Sequence, residues 1–269
     1  MQTRTLTIGA SLIDFGQGDR VPRRAQSTNF NLDWIQGAAH EVDSADELFV
    51  IVTGGAAKLT GLGRSDTMRD EDIAICPSGD YRVEPDEHAN VIVLTTGGSR
   101  ADRADLINPA YTANPRVGPI VRARRTNPLT APLIRNVQDI ACPPGNSRIR
   151  FIRSETMSIN AVLYEGPRSR EALSPHEHAD IEQATVALKG DYIHHLRLPW
   201  GSNADEWQED VHLCAGPGTM LLIPPGLIHT TEGMGSCRHF MLDVFAPARQ
   251  DFINRGMVEN AADYVPVEA

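Results

Sequence analysis

Short runs of aliphatic and β-branched residues, each cut off by glycine, proline, asparagine or aspartate, recur along most of this chain. In the first half they are Glu47 to Thr53, Ala56 to Thr60, Asp72 to Cys76 and Asn90 to Thr95. In the second they are Ser147 to Arg153, Ser158 to Tyr164, Ala184 to Lys189, Tyr192 to Leu198, Thr219 to Ile223 and Arg238 to Phe245. Runs this short cannot make amphipathic helices, and strands at this spacing predict an all-β sandwich or barrel with few short helices. The best helical candidate is Pro247 to Arg255.

The 269 residues allow one large β domain or two of about 130 residues each. An internal repeat favours two. Glu47 to Gly55 can be laid over Glu182 to Gly190, and Pro77-Ser78-Gly79 to Arg82 over Pro224-Pro225-Gly226 to His229. The expected units are 1–100 and 146–269. Between them, 101–145 reads as an extended connector rich in proline and arginine, with Arg116, Arg122, Arg124 and Arg125 as solvated charge or as salt bridges to an acidic surface.

A net charge of −10 argues against nucleic acid or anionic membranes as partners. No apolar stretch approaches a membrane span, and Gly9, Ser11 and Asp14 interrupt the segment Leu6 to Phe15 that could otherwise suggest a signal peptide. Cys76, Cys142, Cys214 and Cys237 are far apart and read as free thiols, with a single disulfide as the alternative. The expectation is a cytoplasmic protein with a small-molecule substrate, self-associating as a homodimer.

The chemistry is concentrated in the last third. His176 and His178 sit two apart, so on an extended segment both imidazoles face one way. Glu182 follows, and His229 comes after a Pro-x-Gly turn that could bring a second strand alongside. Three imidazoles and a carboxylate can converge on one divalent metal. Counting forward from His178 favours Glu182 as the fourth ligand; counting back from Gly190 favours Gln183. An anionic oxygen suits a hard or borderline dication better, so Glu182 is expected. Tyr192 and His194 alternate on one face of a strand and are candidate proton donors or substrate clamps.

These residues resemble the two motifs of the cupin superfamily. The first is His-x-His, a short gap, Glu, then a strand ending in Gly, here His176, His178, Glu182 and Gly190. The second is Gly, Pro-x-Gly, His and then usually Asn, here Gly218, Pro224, Gly226 and His229, with Gly233 at the Asn position. The first half resembles a degenerate copy: Glu47 is kept, Arg82 stands at the position of His229, Glu41 and Asp43 align with His176 and His178, and His40 is one residue out of register. The resemblance implies two tandem cupin barrels, of the double-stranded β-helix or jelly-roll type, with the metal in the second only.

Four protein ligands on an octahedral metal leave two open positions for substrate and O₂. An Fe(II) dioxygenase acting on a small oxygen-rich or dicarbonyl-like compound is therefore the expected function, with Mn, Ni, Co or Zn as other metals. The alternatives are a redox-neutral Zn, Mn or Ni isomerase, lyase or decarboxylase of a sugar acid or hydroxy-acid, and a non-enzymatic binding protein.

Overall fold

The computed structural model describes residues 2–16, 22–97 and 106–267, so the expected boundary at residues 100 and 101 lies outside the described residues. The chain opens with β1 (Gln2–Thr5) and β2 (Ser11–Asp14). Then come β3 (Arg23–Gln26), β4 (Phe30–Gln36), β5 (His40–Ser44), β6 (Leu48–Thr53) and β7 (Ala57–Gly61). The first half ends with β8 (Arg64–Met68), β9 (Asp72–Cys76), β10 (Gly79–Pro85) and β11 (Asn90–Thr96). The connecting stretch supplies β12 (Ala123–Arg125) and β13 (Leu133–Asn136). The second half contains β14 (Ile149–Arg153), β15 (Ser158–Glu165), β16 (Gln183–Lys189) and β17 (Asp191–Arg197). It continues with β18 (Val211–Ala215), β19 (Thr219–Ile223), β20 (Ile228–Met234) and β21 (Arg238–Phe245). A short helix, α1 (Gln250–Asn254), and β22 (Tyr264–Pro266) follow.

Each half combines a large antiparallel sheet with a smaller one. In the first, the six-stranded sheet β13-β9-β6-β11-β4-β3 accompanies the four-stranded β5-β10-β7-β8. In the second, the seven-stranded sheet β1-β2-β19-β16-β21-β15-β14 accompanies the three-stranded β18-β17-β20. The halves exchange strands at their edges. β2 hydrogen-bonds β19, with Leu12 opposite Leu221, while β13 returns to pair with β9.

Strand alternation divides the apolar residues between two destinations. On β6, Leu48, Val50 and Val52 turn into the first half's interior, where Leu59, Tyr81, Val83 and Val93 complete a packed core. Phe49 and Ile51, on the other face of the same strand, join Ile92, Ala184, Val186, Leu188, Phe240 and Leu242 in one cluster. That cluster lies between the six- and seven-stranded sheets, so the main core is the seam joining the halves. Burying each of its large side chains contributes roughly 1.5–3 kcal/mol.

The interiors differ in kind. The first barrel is filled with aliphatic and aromatic side chains. Inside the second, a small apolar group of Val162, Ala187, Tyr192 and Met241 shares the space with buried polar residues that include Gln183, Thr185, His229 and Asp243. Among the described residues, no helix is long and apolar enough to cross a membrane.

Candidate metal centre

The segment carrying His176 and His178 lies beside the start of β20. His176 N–H donates to His229 O at 3.1 Å, and His229 N–H returns the bond to His176 O at 2.8 Å. The Pro224-Pro225-Gly226 turn makes this possible: Gly226, at φ +81°, donates its N–H to His178 O at 2.7 Å. A residue with a Cβ rarely adopts that φ. The turn therefore aligns the two segments, and the three imidazoles meet with ring centroids 4.5 to 5.2 Å apart.

Among the described residues, His176, His178 and His229 form a group of potential ligands whose ligating atoms all lie within 4.8 Å of one another. His176 Nδ1 lies 2.9 Å from Ser174 O and His229 Nδ1 2.9 Å from Leu227 O. A carbonyl only accepts, so both Nδ1 atoms carry the proton and both Nε2 atoms keep a lone pair, the tautomer a metal requires. Burial, with smaller contributions from neighbouring imidazoles, lowers His229 to a pKa of about 3. Burial and then the Arg249 charge lower His178 to about 4. Near neutral pH both rings are uncharged. Imidazole suits borderline divalent transition ions, and this donor set fits one.

Glu182, expected as the fourth ligand, is not with them. It lies one residue before β16, on the face shared by Ala184, Val186 and Leu188, which look into the seam. There its carboxylate accepts the Thr28 N–H at 3.0 Å and the Tyr111 hydroxyl at 2.8 Å, and burial raises its pKa. Gln183 is on the opposite face. Its Oε1 lies 2.9 Å from His178 Nε2 and 3.2 Å from His229 Nε2. Its amide donates to Thr185 Oγ1 at 2.9 Å and to Asp243 Oδ1 at 3.0 Å, which fixes the oxygen toward the imidazoles. Counting back from Gly190 identifies this residue; counting forward from His178 lands on the wrong face.

A cavity of about 210 Å³ opens beside these groups, its wall including His176, His229, Gln183, Asp243, Arg148 and Arg168. Among the described residues Asp243 is the only carboxylate on that wall, and burial raises its pKa. Arg168 donates to Thr231 O, Ala172 O and Ser174 Oγ, yet its buried Nε has no partner. Asn160 Oδ1 and Thr230 Oγ1, also on the wall, are buried without partners. Among the described residues neither Arg148 nor Arg168 makes an ion pair. A small cavity with two arginines that form no ion pair among the described residues, and several orphaned polar atoms, suits a compact oxygen-rich anion. No motif points to Arg148, Arg168 or Asn160; strand parity could have found Asn160 and Asp243, which face each other across β15 and β21.

Tyr192 and His194 do not line this cavity. The Tyr192 hydroxyl donates to Lys189 O at 2.8 Å, and its ring packs against His239. His194 Nδ1 lies 2.9 Å from Thr231 Oγ1, and burial lowers its pKa to about 4. Tyr192 is satisfied by the large sheet and His194 within the small one. Gly233, at the position where Asn is usual, has a steric explanation: a Cβ there would sit 2.0 Å from Tyr164 Oη and 3.0 Å from His239 Cδ2.

In the first half the corresponding positions point elsewhere. Arg82 is outside the barrel, donating to Glu41 at 2.6 Å, and Asp43 is exposed. His40 lies 3.3 Å from Asp33. Inward positions are taken by Val42, Tyr81 and Val83, with Leu48 where Gln183 stands in the second half. Glu47, like Glu182, faces the seam, where it pairs with Arg125 at 2.8 Å.

No family model and no curated protein matches the sequence. Solved structures do. Lactobacillus farciminis oxalate decarboxylase in a formate complex matches with a TM-score of 0.57 at 15% identity, over 88% of this chain and 86% of that one. Bacillus subtilis oxalate decarboxylase, studied for its Mn(II) centers, matches at 0.52 and 11%, over 96% and 89%. A cupin 2 conserved barrel domain protein from Leptotrichia buccalis matches at 0.50 and 12%, over 87% and 95%. At these identities the likeness is one of fold. The chain has the cupin fold, and its second half carries a three-histidine cluster of metal-ligand type.

Proposed function

We propose that the second barrel holds one divalent cation on His176, His178, His229 and Gln183, and that the protein is a metal-dependent enzyme for a small carboxylate-bearing substrate. The observation that carries this reading is the meeting of three imidazoles, two of them on the wall of a cavity that also presents Arg148 and Arg168, neither of which makes an ion pair among the described residues. When bound, the cation supplies Lewis acidity toward substrate oxygens. The chain's own residues do the rest. Arg148 and Arg168 draw in and orient the carboxylate, and Asn160 Oδ1 and Thr230 Oγ1 offer partners for a substrate hydroxyl. Asp243 holds the Gln183 amide in place and is the wall carboxylate positioned to exchange a proton.

Redox-neutral chemistry, decarboxylation or isomerisation of a hydroxy-acid or oxo-acid, is the better-supported reaction. With Gln183 in place of Glu182, all four protein donors are neutral. Neutral donors favour the lower oxidation state of a transition ion and leave its charge to be offset by an anionic substrate. Iron-dependent dioxygenation, expected from the sequence, would draw on the same open positions but gains nothing from this ligand set. The oxalate decarboxylases that share the fold support a carboxylate substrate. The test is turnover of a panel of small hydroxy- and oxo-acids by metal-reconstituted protein, with and without oxygen. Equal turnover in both is expected; oxygen uptake stoichiometric with substrate would reverse the choice of reaction.

A further inference from the structure

A second cluster of ligand-type side chains lies on the other face of the three-stranded sheet. His195 on β17 and His212 on β18 are directly opposite one another, and their Nδ1 atoms are 2.8 Å apart. His195 Nε2 lies 3.1 Å from Glu232 Oε2 on β20. Glu232 is only 3% exposed although it points away from the barrel interior, and Arg170 lies 3.4 Å from its other oxygen. His195 is half-buried and His212 exposed.

The tautomers follow from these partners. A carboxylate accepts, so His195 Nε2 carries the proton and His195 Nδ1 holds a lone pair aimed at His212. In that arrangement His212 Nδ1–H donates to it. The carboxylate behind an imidazole, making its far nitrogen a better donor, is the arrangement that supports metal-bound histidines. Two imidazole nitrogens at 2.0–2.1 Å from one tetrahedral ion stand roughly 3.3 Å apart. The pair therefore needs to open by about half an ångström, which the exposed His212 ring can supply by rotating.

We propose that His195 Nδ1 and His212 Nδ1 form a surface site for a borderline divalent cation such as Zn²⁺ or Ni²⁺, with Glu232 as the positioning residue and water completing the coordination. On binding, the His212 proton passes from Nδ1 to Nε2 through solvent, so both imidazoles stay neutral and no proton is released. The ion would tie β17 to β18, and through Glu232 to β20, the strand that carries His229 on its opposite face. This site is independent of the buried one.

Calorimetric titration of chelator-stripped protein with Ni²⁺ tests it. Two equivalents are expected for the unaltered chain, one for His212→Gln, and two for Cys214→Ser, which removes an exposed thiol from the same strand. In His176→Asn the equivalent that remains should be the one His212→Gln abolishes. Retention of both equivalents in His212→Gln, or loss of one in Cys214→Ser, overturns the proposal. A single equivalent that disappears with His176→Asn and survives His212→Gln also overturns it. A single equivalent with the reverse pattern upholds it and removes the buried site instead.

Discussion

At the level of single residues, one step along a strand decides what this site is made of. Gln183 points its amide oxygen at two imidazoles while Glu182, its neighbour, anchors Thr28 and Tyr111 across the seam. Gln183→Ala should weaken Ni²⁺ or Mn²⁺ binding at the buried site by at least about 10–100-fold, the range found when even the groups behind a metal's ligands are removed. Glu182→Gln should leave that affinity unchanged and lower only thermal stability; calorimetric titration and melting curves separate the two effects. The three histidines were legible in the sequence because their spacing and the Pro-x-Gly turn define one geometry. The placement of Gln183 rather than Glu182 beside them was not, because the two lie side by side and charge favoured the glutamate. Gly233→Ala should cost about 1–3 kcal/mol by overpacking against Tyr164 Oη. Adding Tyr164→Phe should return part of that loss in a double-mutant cycle read by denaturant unfolding.

Among the elements, the strands were the most readable part, since their apolar runs are bounded by turn residues. The terminal helix shrank from the expected Pro247 to Arg255 to Gln250–Asn254. The connector was less legible. Its arginines read as solvated charge or surface salt bridges, whereas Arg125 is buried between Glu47, Asp263 and Tyr264, at 5% exposure. Arg122 does pair at the surface, with Asp46. Local sequence could not reveal Arg125's burial because its partners come from opposite ends of the chain. Glu47→Ala would leave a buried guanidinium without its main counter-ion. We expect a loss of about 3–5 kcal/mol, measured by urea unfolding. Glu47 and Glu182 occupy matching places in the repeat, and both became tethers across the seam.

At the scale of the molecule, the halves are joined by charge as well as by apolar packing. Glu71 of the first half accepts Lys189 Nζ at 2.8 Å and both Nε and Nη2 of Arg238 from the second. Burial alone would raise its pKa, but the hydrogen bonds and charges of Arg238 and Lys189 outweigh it and hold the carboxyl at about 2. A lowered carboxyl pKa stabilises the folded state above the unfolded value near 4.5 and stops doing so as pH falls toward 2. Melting temperature should therefore decline across that window, and Glu71→Gln should make the decline shallower. The sequence repeat pointed to two similar halves, but not to their large sheets turning apolar faces toward each other, because each face alone reads as ordinary strand alternation.

The pairing of β2 with β19 also sets a schedule for synthesis. A ribosome delivers the β1–β2 hairpin well before β19, the strand it pairs with. Until β19 emerges, the nascent chain carries an open β edge with Ile13 and Phe15 still to be covered, an invitation to pair with a neighbouring polypeptide. Slow translation through the connector would prolong that exposure rather than relieve it, and a holding chaperone would be most useful to this protein before its second half has been made.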